Sequence, residues 1–69
     1  MHNTNEKEIK NQEIIALQEK LVELQHRLAA TDIVHSVNPT KSLAEQRTGL
    51  IKEIADTEQV IKFLKTSAL

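Results

Sequence analysis

The feature that most constrains this chain is its single proline, Pro39, within the stretch Thr31–Lys41, TDIVHSVNPTK. Proline lacks an N–H, and its ring disfavours helical geometry at the preceding residue, so one continuous helix cannot pass through this point. Apolar residues recur with helical spacing on both sides of the stretch. The sequence therefore predicts two helices joined by a hinge.

The ends of the two helices are predicted from local signals. Asn38 is a favoured N-cap and Pro39 a favoured first helical residue, whereas Ser42–Glu45 has the form of a capping box and offers an alternative start. Thr31 and Asp32, both disfavoured in helix interiors, are expected to end the first helix. The predicted organisation is a disordered polar leader at 1–5, a helix at 6–31, a hinge at 32–38, a helix at 39–66 and a frayed C-terminus at 67–69.

Each predicted helix carries a column of aliphatic residues spaced alternately by three and four positions, the pattern of helices that pack along their length. Because the helices are similar in length and the hinge is short, they should lie antiparallel with these columns facing each other. The fold class is therefore all-α, an antiparallel coiled-coil hairpin. Its seam residues are Ile14, Leu17, Leu21, Leu24, Leu28, Leu43, Leu50, Ile54, Ile61 and Leu64.

Arg47 interrupts the second column near the hinge. Its aliphatic stem is expected to pack in the seam while the guanidinium reaches water or a carboxylate. Gly49 lies inside the same helix and has two interpretations, a tolerated surface glycine or a point of close approach to a partner backbone.

Several large apolar residues fall outside the seam. A pair of helices buries one stripe on each, and at 69 residues a single core is marginal, so a second apolar surface indicates an interface. The simplest arrangement is a homodimer that forms a four-helix bundle. Val60 and Phe63, near the free ends of the hairpin, could instead bind a different protein. The predicted interface residues are Ile15, Val22, Ile51, Val60 and Phe63.

Composition narrows the functional classes. There is no cysteine, so disulfides and thiolate metal sites are excluded. Nine basic and ten acidic residues are interspersed, with a net charge of −1, and no apolar run approaches the length of a membrane span or a signal-peptide core. We expect a cytoplasmic protein that neither binds nor crosses a membrane.

No motif predicts chemistry. Glu23 and His26 have the E-x-x-H spacing of di-iron bundles, but the motif occurs once and on the flank of the seam. The serines lack a glycine-rich elbow, and with Gly49 as the only glycine there is no phosphate-binding loop. The sequence predicts no catalytic residue, metal site or cofactor, and a protein that is not an enzyme.

The predicted function is a non-enzymatic protein–protein interaction module, an adaptor, chaperone or inhibitor of a larger protein. An RNA- or DNA-binding helical-hairpin dimer is the alternative. The basic residues of the first helix, however, fall on different sides, and Phe63 is the only aromatic residue available for base stacking.

Three resemblances bear on this choice. Ser42–Glu53, SLAEQRTGLIKE, is similar in placement to the second-helix signature of small aspartyl-phosphate phosphatases of sporulation control, although the acid that carries their activity is missing from Ala44–Thr48. Asn38-Pro39 and the later segment Glu58–Ile61 resemble the layout of the small hairpin subunit of type III secretion needle chaperones, which is a further functional alternative. Plasmid copy-number regulators are similar in architecture. The chain is assigned to none of these families.

Overall fold

Two packed helices make up the structure. The computed structural model describes the backbone of residues 2–66 and the side chains of residues 7–66, with α1 at His2–Val37 and α2 at Lys41–Thr66. Ion pairs join Asp32 to Arg47 near the turn and Lys20 to Glu53 farther away, as the antiparallel arrangement requires. The molecule measures 56 × 15 × 13 Å. The predicted all-α two-helix hairpin is confirmed.

The first helix extends farther towards the turn than predicted. It ends at Val37 instead of near residue 31, and most of the stretch 32–38 predicted as a hinge is its last two turns. The backbone N–H of Asn38 donates to the carbonyl of Val34 at 2.9 Å and closes the final turn. Polar and β-branched residues cost at most about 0.7 kcal/mol each in a helix, whereas proline costs about 3 kcal/mol. Pro39 therefore sets the end of α1.

The second helix begins with a different cap from either one predicted. Thr40 Oγ1 accepts a hydrogen bond from the N–H of Leu43 at 3.1 Å, and the Thr40 carbonyl accepts from the N–H of Ala44 at 3.0 Å. Thr40 is thus the N-cap. Asn38 cannot take this role because its backbone completes the last turn of α1. None of the described residues has a positive φ, which explains why the turn needs no glycine.

The predicted leader also differs from the structure, because the backbone is helical from His2 onward. Neither proline nor glycine occurs in this segment, and its asparagines and threonine each cost at most about 0.7 kcal/mol in a helix, so it contains no strong stop. The predicted frayed segment 67–69 lies outside the described residues.

The core is a single line of contact between the helices. Leu24, Ile61 and Thr57 are its most buried residues, at 3%, 7% and 6% exposure. The Thr57 hydroxyl donates to the Glu53 carbonyl at 2.8 Å, so this buried polar group is satisfied within its own helix. All ten seam residues proposed from the sequence are buried or partly buried, and Thr31, Asp32 and His35 extend the line towards the turn.

We predict that Thr40→Ala lowers the free energy of unfolding by about 1 kcal/mol, because the Leu43 N–H loses its partner. Urea unfolding at fixed protein concentration measures the change. Ser42→Ala is the matched control and should change stability by less than about 0.5 kcal/mol. A greater loss with Asn38→Ala than with Thr40→Ala would contradict the assignment of the cap.

Candidate interaction surface

The seam divides the rest of the surface into two sides. In heptad notation Ile14 and Leu17 occupy positions a and d of α1, and Ile54 and Leu50 occupy a and d of α2. Lys20 and Glu53 are both g positions, and their side chains approach to 3.7 Å, so the g positions of both helices lie on one side of the hairpin. The e positions therefore lie on the opposite side. Position c adjoins position g on the helix surface, and position b adjoins position e.

The side that contains the g and c positions is rich in charge. Besides the Lys20–Glu53 pair, Arg27 Nη2 lies 2.9 Å from Glu23 Oε1 one helical turn away. These side chains are more than half exposed, so each pair contributes at most about 1 kcal/mol. We call this the charged side and define it by Glu13, Lys20, Glu23, Arg27, Glu53 and Asp56.

The opposite side carries no ionisable group at its e and b positions from residue 11 to 29 of α1 or from 44 to 55 of α2, whereas Glu58 and Lys62 follow farther along α2. Its residues follow the same three-and-four spacing as the seam, so each helix has a second repeat, and all of them are exposed. Thr48 donates its hydroxyl to the Ala44 carbonyl at 3.0 Å, which leaves its methyl group as the side chain's apolar surface. We call this the uncharged side and define it by Asn11, Ile15, Gln18, Val22, Gln25, Ala29, Ala44, Thr48, Ile51 and Ala55.

The five predicted interface residues are all exposed, but they do not form one surface. Ile15, Val22 and Ile51 belong to the uncharged side, with 55%, 50% and 44% exposure. Val60 and Phe63 occupy positions g and c of α2, on the charged side near the free ends, with 46% and 70% exposure. The structure thus separates two apolar areas that the sequence analysis treated together.

Four further exposed apolar residues were missed: Ile9, Ile33, Val34 and Val37. The last three lie in the segment 32–38 that was predicted to be a hinge, where apolar residues were not assigned to a helix face. Recognising Pro39 as the only strong stop would have placed all three on α1. Val37 is the most exposed of the large apolar residues, at 81%.

The seam becomes polar beside the turn. The Arg47 side chain donates through Nε to the Asp32 carboxylate. A carboxylate was one of the two partners expected for this guanidinium from the sequence, the other being water. Thr31 and His35 are partly buried nearby on α1. This layer joins the helices by hydrogen bonding where aliphatic packing is weakest.

Two of the side chains considered for chemistry have structural partners. Glu23 of the E-x-x-H motif is paired with Arg27, and Ser36 donates its hydroxyl to the Ile33 carbonyl at 2.7 Å. Within the described part of the chain, no group of three or more His, Asp or Glu side chains could hold a metal ion. Neither described helix is long and apolar enough to span a bilayer.

An open groove of about 490 Å³ runs between the helices on the charged side, close to the turn. Ala30 and Gly49 line it, with Leu50, Arg27 and Glu53 among their neighbours. A Cβ added at Gly49 would meet no atom within 4 Å. The hairpin therefore has room for a side chain at Gly49, as the surface-glycine interpretation requires.

No protein-family model, curated protein or solved structure matches the chain.

We predict that Gly49→Ala raises the free energy of unfolding by about 1 kcal/mol, because alanine favours the helix and the site is open. Urea unfolding measures this change. Ala55→Gly, an exposed position of the same helix, should lower stability by a similar amount. A loss of stability with Gly49→Ala would instead indicate that another backbone packs against this glycine.

Proposed function

We propose that the protein is a non-enzymatic protein–protein interaction module, an adaptor, chaperone or inhibitor that binds a larger protein through an apolar helix face. The observation that supports this proposal is the set of nine large apolar side chains that are at least 44% exposed on the described hairpin. Such residues are normal when scattered singly, but pairs that share one helix face, as Ile15 with Val22 and Val60 with Phe63 do, are typical of binding surfaces.

Val60 and Phe63 are the best candidates to contact the larger protein. They are three residues apart on α2, the spacing with which one helix places anchors in an apolar groove. Phe63 is the only aromatic residue of the chain and is 70% exposed. Aromatic residues are enriched in the buried centres of protein interfaces, so a 70% exposed phenylalanine suits an anchor.

The module is proposed to act as a homodimer in the form of a four-helix bundle. A hairpin buries one stripe per helix, and the second repeat on the uncharged side would supply the remaining apolar contact in such a bundle. Dimerisation through that side would leave Val60 and Phe63 accessible.

We predict that Phe63→Ser abolishes the capture of a protein partner from an extract of the native host, because the anchor is lost while the exposed position leaves folding intact. Immobilised wild-type and variant proteins are compared by quantitative mass spectrometry of what they retain.

Lys52→Ser is the matched control, since Lys52 is also exposed and lies on the same helix away from Val60 and Phe63. The expected result is a protein retained by the wild type and by Lys52→Ser but not by Phe63→Ser. Equal retention by all three chains, or retention only of nucleic acid, would contradict the proposal.

A further inference from the structure

We infer that the uncharged side is the surface on which a second copy of the hairpin packs, with Val22 beside its own copy near a two-fold axis. The inference rests on the proposed homodimer and specifies how it forms. It assigns Ile15, Val22 and Ile51 to self-association and excludes Val60 and Phe63 from that contact.

The charge pattern selects the second copy as the occupant. In a two-fold interface, residues near the axis face their own copies, so a charge placed there would meet an identical charge. The charged side has Lys20, Glu23 and Arg27 at its middle and would bring like charges together. The uncharged side has no ionisable group from Asn11 to Ala29 on α1 or from Ala44 to Ala55 on α2, so the same patch can face itself without repulsion.

The polar residues of the uncharged side are also self-complementary. Gln18 and Gln25 alternate with Ile15, Val22 and Ala29 along α1. An amide is both donor and acceptor, so it can hydrogen-bond to an identical amide, which neither a carboxylate nor an ammonium group can do. A glutamine at the interface therefore keeps its hydrogen bonds when a second copy displaces water.

The dimensions suit a dimer. With a rise of about 1.5 Å per residue, the segment from Asn11 to Ala29 is roughly 27 Å long. The uncharged residues of α2, Ala44 to Ala55, span roughly 17 Å, and farther along α2 this side carries Glu58 and Lys62. Across the 15 Å width of the hairpin the flat uncharged projection is therefore on the order of 300 Å², and interdigitating side chains increase the area buried on each partner. Stable interfaces bury about 800 Å² per partner, and Ser36, at the next b position of α1, together with the side-chain stems of Glu58 and Lys62 would extend the contact towards that value.

Val22 lies close to the centre of the uncharged side, which makes it the sharpest position to test. Val60 is its matched control, the same residue type at 46% instead of 50% exposure, on the other side of the molecule. Val22→Glu and Val60→Glu introduce the same charge at similarly exposed helix positions. Circular dichroism checks that both remain helical.

The experiment is sedimentation equilibrium of the full chain over the range from about 1 to 500 µM. The wild type and Val60→Glu should dimerise alike, while Val22→Glu should raise the dimer dissociation constant at least about tenfold, because an unpaired charge would enter the interface. An equimolar mixture of Val22→Glu and Val22→Lys should recover the dimer, since opposite charges then meet across the former axis. Ile51→Glu should raise the dimer dissociation constant in the same way as Val22→Glu.

Three results would overturn the inference. A wild-type chain that stays monomeric throughout the concentration range would remove the homodimer itself. A wild-type dimer that is weakened by Val60→Glu and not by Val22→Glu would keep the homodimer and refute the choice of side. Failure of the mixed charge variants to recover a dimer would refute the placement of Val22 beside its own copy. Partner capture that depends on Phe63 can succeed or fail independently of all three.

Discussion

Two helices can cover only one stripe of each other, and this geometric limit determines the rest of the structure. The aliphatic seam occupies that stripe along the hairpin, with Leu24 and Ile61 at its most buried points. The exposed large apolar side chains lie on the two flanks, apart from Ile33, which lies on the face of α1 opposite the seam. The flanks then differ through charge, since one has interspersed acids and bases and the other has amides, small residues and three large aliphatic residues. The exposed apolar residues are thus those that the packing of the two helices leaves uncovered.

Near the turn, the hairpin replaces aliphatic packing with polar contacts. The Asp32–Arg47 pair crosses between the helices, and both side chains are nearly half exposed. An ion pair this exposed contributes at most about 1 kcal/mol. Its directionality is more useful, because aliphatic residues in a repeat tolerate a shift of register, whereas a carboxylate and a guanidinium must meet at one place. The pair therefore favours one alignment of α2 along α1.

The sequence predicted the two-helix architecture because apolar spacing and a single proline are strong local signals. It placed the end of α1 too early, since weak propensities at Thr31 and Asp32 were given the weight of a stop, although a helix tolerates such residues and only Pro39 prevents continuation. The cap at Thr40 was missed because the residue that caps α2 is determined by the end of α1, which was predicted too early. The separation of Ile51 from Val60 follows from helical periodicity, since nine residues at about 100° each place them on opposite flanks of α2, and it was missed because the two flanks of the seam were not distinguished. Only the choice of which flank of α1 each one joins depends on the antiparallel pairing. The absence of charge along the uncharged side was visible in the sequence and could have been used once the helices were placed.

The short connection between the helices has a consequence for the order in which the hairpin opens and closes. Contacts beside the turn, such as Asp32 with Arg47, join residues close in sequence and require little loop closure, whereas Lys20 with Glu53 closes a much longer loop. Pairing should therefore start at the turn and proceed outward. Val60 and Phe63 lie in the part that closes last. A protein that binds there would meet a segment of α2 that pairs late with α1, and Ile61, buried between Val60 and Phe63, would have to leave the seam before the ends of the helices could separate.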